Sequence, residues 1–216
     1  MNLQPITALS PLDGRYESKV SALREHFSEF GLIRNRVKVE IEWLKALAAA
    51  PELAEIAPFS AATIAELDAV IANFSVADGE AVKAIEATTT HDVKAMEYWL
   101  KQRLGHNPEV TRVTEFIHFG CTSEDINNTS HAIMLKRGRE ALADYLQQIH
   151  DTIAGFAHQW AEIPMLSRTH GQTASPTTVG KEFANVAVRL ERVIEAIRAV
   201  KIYAKMNGAV GNYNAH

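Results

Sequence analysis

The chain contains one cysteine, Cys121, among 216 residues, which excludes an intrachain disulfide and any zinc site built from several thiolates. Cys121 itself reads as a small buried residue rather than a nucleophile. No uninterrupted apolar run approaches the roughly 20 residues of a membrane span, and the start Met1-Asn2-Leu3-Gln4-Pro5 lacks the basic and apolar regions of a signal peptide. A soluble, cytoplasmic protein is the expectation. Excess positive charge is missing as well. With a formal net charge of -4, overall electrostatics draws the chain neither to nucleic acid nor to an anionic membrane. A phosphate loop of the P-loop or dinucleotide type is also lacking, because Gly208-Ala209-Val210-Gly211 follows a helical pattern and does not have the required spacing. Strand signals are nearly absent.

What the sequence does contain is helical periodicity, and with an apolar content of 47% an all-α globular fold is expected. From Phe30 the apolar positions Ile33, Val37, Ile41, Leu44 and Ala48 recur at helical spacing, with Arg34, Arg36, Lys38, Glu40 and Glu42 between them, up to Pro51. Shorter helices are predicted over 61–73, 78–88 and 91–104, the last closed by Gly105-His106-Asn107-Pro108. Residues 1–120 are read as a helical N-terminal domain and 121–216 as the first part of a bundle domain. In the second part, Leu142, Leu146, Ile149, Ile153, Phe156 and Trp160 alternate steps of four and three, the period of a helix lying nearly parallel to long neighbours. A second stripe runs through Phe183, Val186, Leu190, Val193, Ile197 and Val200. Both stripes are core-packing surfaces, and helices of this length need more than two partners to cover them.

Four places carry residues suited to chemistry. His170 lies in the polar run Ser167 to Thr178, a Gly- and Pro-punctuated loop after Pro164, with no apolar period to bury it and with Ser175 to Thr178 as caps for the next helix. An imidazole near its ordinary pKa of ~6.5 exchanges a proton close to neutral pH; the alternative is a histidine that only ties the loop together. Thr122-Ser123, followed by Glu124 and Asp125, is an N-terminal cap signature whose hydroxyls and backbone N–H groups could equally receive an anion. His91-Asp92 opens a helix after three threonines, where Asp92 either orients the histidine or complements the helix dipole. Arg15-Tyr16 leave the turn Pro11-Leu12-Asp13-Gly14 together, and a guanidinium fork matches two phosphate oxygens, although an isolated surface arginine is ordinarily just solvated. His150 and His158 are eight residues apart on one helix, about 12 Å at ~1.5 Å per residue, too far to share a metal. No metal and no cofactor is expected.

Arg168-Thr169-His170-Gly171-Gln172 with Gly180-Lys181 resembles the segment around the catalytic histidine of the fumarase/aspartase superfamily. Further motifs fall in that family's order. They are Ser10 to Tyr16, Thr90-His91-Asp92-Val93-Lys94-Ala95, His118-Phe119-Gly120-Cys121-Thr122-Ser123-Glu124-Asp125 and Lys205-Met206-Asn207-Gly208-Ala209-Val210-Gly211. The resemblance runs the length of the chain but reaches only the N-terminal half of the family's polypeptides. It implies a small helical domain followed by part of a long-helix bundle that is completed by four subunits, each active site being assembled from three of them.

The resemblance also implies an activity. It is looked for in the branch that eliminates fumarate from adenylosuccinate, giving AMP, and from the succinylated aminoimidazole carboxamide ribotide of purine synthesis. His170 is then the general acid at the leaving nitrogen. Arg15, Tyr16, Thr90, His91, Asp92, Thr122 and Ser123 bind substrate, with His118 and Gln172 as secondary groups; at Thr90 the family usually carries Asn or a Ser-like residue. The family's base is a serine in a Ser-Ser-x-Met-Pro-x-Lys-x-Asn-Pro loop, which no residue here matches, so the loop is expected beyond His216 and the chain alone is expected to be inactive. Two alternatives stand beside this. One is a sister lyase (argininosuccinate lyase or a fumarase-like enzyme), for which Thr-His-Leu-Gln is expected in place of Thr169-His170-Gly171-Gln172. The other is a non-catalytic helical oligomerisation module.

Overall fold

The computed structural model describes residues 4–214. Met1-Asn2-Leu3, read above for a leader, lies outside the described residues. Two short helical turns, α1 (Glu17–Val20) and α2 (Arg24–Phe27), lead into the long α3 (Glu29–Ala49), then α4 (Ala61–Ala72), α5 (Val76–Thr89), α6 (Asp92–Leu104) and α7 (Pro108–Arg112). The 37-residue α8 (Ser123–Gln159), a hairpin of β1 (Pro164–Thr169) and β2 (Gln172–Thr178), and α9 (Val179–Ala199) follow. The chain divides into two compact units, Met1–Leu135 with Tyr203–His216, and Lys136–Ile202. The division thus falls inside α8, after Leu135, and residues 203–214 group with the first unit.

In the first unit α3 is central. Val37, Ile41 and Leu44 are completely buried against Leu67 of α4, Val82 of α5 and Val93, Met96, Leu100 and Leu104 of α6. Phe74, just past α4, meets Trp99 edge-on at 5.2 Å between ring centroids, a geometry favoured by the ring quadrupoles. The helices start where their capping residues stand. Ser28, Ser60 and Ser75 each accept a backbone N–H of the following turn, and Ser75 with Asp78 completes a capping box. One expectation fails here: Arg36 and Glu40, read as part of the polar face of α3, are 7% and 0% exposed. Because other elements pack on more than one side of α3, its polar positions also become interior.

In the second unit Phe156 and Trp160 stack at 4.7 Å, and Phe183 of α9 packs against both. Gly180 allows this close approach, since a Cβ there would lie 2.3 Å from the Ala157 carbonyl oxygen. Thr178 caps α9 by accepting the Lys181 N–H, as its place in the Ser/Thr cluster suggested. Along the two apolar stripes, Leu142, Ile149, Val186, Val193 and Val200 remain exposed rather than packed in a core.

The segment expected as a loop around His170 is a two-stranded antiparallel hairpin, a local departure from the all-α expectation. Its pairs run from Pro164↔Thr178 to Thr169↔Gln172, with an irregularity between Leu166 and Arg168. His170 and Gly171 form the turn with φ of 50° and 74°. Two successive positive φ angles match the right-handed twist of a tight hairpin. Sequence reasoning missed it because both faces are largely exposed, so no apolar alternation marks the strands.

Candidate active site

The first unit gathers most of the sequence-derived candidates around α3. The helix α6 begins at His91, whose Nδ1 accepts the Lys94 N–H at 3.2 Å. The ring therefore caps the helix through one nitrogen and keeps Nε2 for other partners. Asp92 does not orient it: the closest approach is 3.7 Å. Its Oδ1 accepts the Val93 N–H at 2.8 Å, and its Oδ2 accepts from Arg36 at 2.5 Å. Burial opposes the charged form of Asp92, yet the Val93 N–H and the Arg36 guanidinium more than offset it and hold its carboxyl below the usual range. Thr90, with φ of 53°, closes α5 in the left-handed region and is exposed.

Arg36 also donates from Nε to Asn127 Oδ1 at 2.8 Å. One buried guanidinium thus joins the start of α6 to the first turns of α8, so the His91-Asp92 and Thr122-Ser123 helix starts lie on either side of it. At the start of α8 the capping works in the reverse sense from that expected. Thr122 N–H donates to Asp125 Oδ2 at 3.1 Å, the carboxylate half of a capping box, while the Thr122 and Ser123 hydroxyls make no hydrogen bond to protein among the described residues.

Asp125 is completely buried and holds a second segment in place. It accepts from Lys205 Nζ at 3.2 Å and from the backbone N–H groups of Asn207 and Gly208 at 3.0 and 3.1 Å. Asn128 exchanges two hydrogen bonds with the Lys205 backbone. The motif Lys205 to Gly208 is therefore folded onto the start of α8. Burial disfavours the Asp125 charge, but these donors prevail and its carboxyl titrates below the ordinary range. With a depressed folded pKa, its stabilisation is present above about pH 4 and is lost as the pH falls through the folded value. Asp125→Ala strands three backbone donors and is expected to destabilise the fold by about 1–3 kcal/mol. Urea unfolding measures that loss, and limited proteolysis should show new cleavage within 203–213.

Just before the turn, His118 has φ of 65° and its Nδ1 lies 2.5 Å from Glu40 Oε1. Trp43 Nε1 donates to the Phe119 carbonyl at 2.7 Å. Cys121 is half-buried, and its thiol is pushed up to about 12 by burial and by the charges of Glu40 and Asp125, so it is no nucleophile at neutral pH.

The remaining candidates make no hydrogen bond or ion pair with this cluster among the described residues. Arg15 packs its guanidinium over the Tyr16 ring, 4.9 Å from the centroid, on the exposed opening segment. No hydrogen bond or ion pair links either residue to His91 or to the Thr122-Ser123 turn. His170 belongs to the second unit, where it sits exposed on the hairpin turn without a protein partner among the described residues, and Gln172 opens β2 two residues on. Arg36, Glu40 and Lys205 are the groups that sequence reasoning did not assign. For Arg36 and Glu40 the available signal was two charged residues four apart on a helix, which ordinarily marks a solvated face.

Set beside known proteins, this arrangement has a class. The chain belongs to the family described as Lyase, which matches residues 14–216. Adenylosuccinate lyase of Vibrio cholerae is 57% identical over 217 residues, covering 100% of this chain and 48% of that protein. Adenylosuccinate lyase of Escherichia coli is 55% identical over the same shares. The chain therefore spans about half the length of the curated relatives it matches. Among solved structures, β-carboxy-cis,cis-muconate cycloisomerase from Acinetobacter calcoaceticus superposes with a TM-score of 0.67 at 24% identity, over 90% of this chain and 44% of that one, which shows a shared fold.

Proposed function

We propose that these residues form the acid-bearing, nucleotide-side portion of an adenylosuccinate lyase site. The observation that carries this reading is the 57% identity to adenylosuccinate lyase along the entire chain, with His170 displayed on a solvent-facing hairpin turn. Elimination removes a proton beside a carboxylate and protonates the departing nitrogen, so it requires a base and an acid on opposite sides of the bond. His170 is the acid. The open Thr122 and Ser123 hydroxyls and the first N–H groups of α8 suit a substrate oxyanion, His91 Nε2 is free to add a hydrogen bond, and Arg15 with Tyr16 supplies a phosphate contact. Asp92 supports the site through Arg36 rather than by touching substrate. The base comes from a serine loop outside these residues, and the site is completed in a homotetramer whose bundle helices cover the exposed stripes, in the cytoplasm. The same site serves the succinylated aminoimidazole carboxamide ribotide.

The test is fumarate release by the full-length protein containing this chain, with adenylosuccinate and argininosuccinate offered in parallel. Turnover of adenylosuccinate alone is expected. Turnover of argininosuccinate, or of neither with no binding of AMP, overturns the reading in favour of a sister lyase or a scaffold respectively.

A further inference from the structure

The face of α3 that carries Arg36, Glu40 and Trp43 holds the start of α8 at one point and the segment before it at two. These residues recur at i, i+4 and i+7, so they line one side of the helix. Arg36 takes Asn127, Glu40 takes His118 and Trp43 takes the Phe119 carbonyl. Of the three, only Glu40 acts on a titratable ring. Its side chain is completely buried, and Oε2 has no hydrogen-bond partner. A carboxylate in that position needs a counter-charge close by. His118, its side chain 17% exposed, is that neighbour, with its Nδ1 in direct hydrogen-bonding contact with Oε1. The Nε2 of His118 has no protein partner among the described residues.

We infer that Glu40 is a positioning residue: by accepting the Nδ1–H of His118 it fixes the ring beside the Thr122-Ser123 helix start and keeps it an imidazolium, whose Nε2–H donates to an oxyanion of the bound substrate. This rests on the lyase reading above. Other charged groups around the ring act in both directions. Burial opposes its protonation, Glu40 and then Glu97 favour it, Lys94 opposes it, and the balance raises the affinity of His118 for its proton. Because the folded value is raised, the pair's contribution is complete below about pH 6.5 and fades as the pH climbs through the folded value.

The experiment uses the full-length enzyme and compares wild type with Glu40→Gln. Glutamine keeps the size and a hydrogen-bonding oxygen but removes the charge. The alkaline limb of the kcat/KM profile that reports His118 should move at least about one pH unit lower, with the loss carried by KM and wild-type activity recovered on the acid side of that limb. Product inhibition identifies the oxyanion. Weakened AMP inhibition at alkaline pH assigns the phosphate, and weakened fumarate inhibition assigns a succinyl carboxylate. A uniform loss at every pH makes Glu40 merely structural and overturns the inference. Should the variant fold poorly, the His118 imidazole can be titrated by NMR in wild type. Protonation persisting above pH 7 supports the inference, and an ordinary or lowered value refutes it. That titration does not depend on turnover, so it separates failure here from failure of the lyase reading.

Discussion

His170→Ala in the full-length lyase is expected to lower kcat by ~10²–10⁴-fold while leaving KM within a few-fold of wild type. The size follows from the role. A general acid contributes in the transition state, when the nitrogen acquires negative charge as it leaves, and contributes little to holding the ground-state substrate. The structure adds a reason why folding should survive the change. His170 is exposed, bonds to no protein group among the described residues and sits in a turn whose geometry is set by strand pairing and by Gly171. Circular dichroism and thermal unfolding should therefore match wild type, while steady-state fumarate release does not. A variant with near-normal kcat and a raised KM would make His170 a binding group only. The positive φ at this position also predicts that His170→Asn folds at least as well as His170→Ala, because Asn tolerates the left-handed region.

The 216-residue chain by itself is expected to release no measurable fumarate from adenylosuccinate, a loss larger than that of any single substitution. An acid without its base cannot complete the elimination, and no residue run here matches the family's serine loop. His91 and the Thr122-Ser123 turn lie in one compact unit and His170 in the other. The exposed Leu142, Ile149, Val186 and Val193 represent apolar helix surface that water covers poorly, so the isolated chain should also self-associate. Activity is assayed beside light scattering, alone and after mixing with the C-terminal remainder of the full-length protein. Recovery on mixing supports the account. Turnover by the chain alone near that of the complete enzyme, or a well-behaved monomer, contradicts it.

Most of the helices were legible from periodicity. The pattern running from Phe30 to Ala48 places α3 within a residue of its observed Glu29–Ala49, and the helices expected over 61–73 and 91–104 are as close. Helix ends are local events, decided by capping residues and prolines within a turn of the boundary. The hairpin was illegible because its pairing rests on a two-residue turn and its strands bury no regular face. The partners of the site residues were illegible for another reason. Asp92 could be read as serving His91 beside it, yet it serves Arg36, which is 56 residues away in the chain. Asp125 read as an ordinary first-turn acid, and it clamps a segment more than 80 residues on.

The sequence alone determined the helical class, the order of the motifs, the histidine set outside any apolar period and the membership in a lyase family, because each depends on residue type and local spacing. Only the tertiary structure decided which charges are buried and with whom they pair. Burial of a charge is a property of what packs around it: Arg36 and Glu40 have the spacing of a solvated helix face, and they became the inner supports of the candidate site once other elements covered them and the cost of dehydrating a charge required a partner within hydrogen-bonding distance.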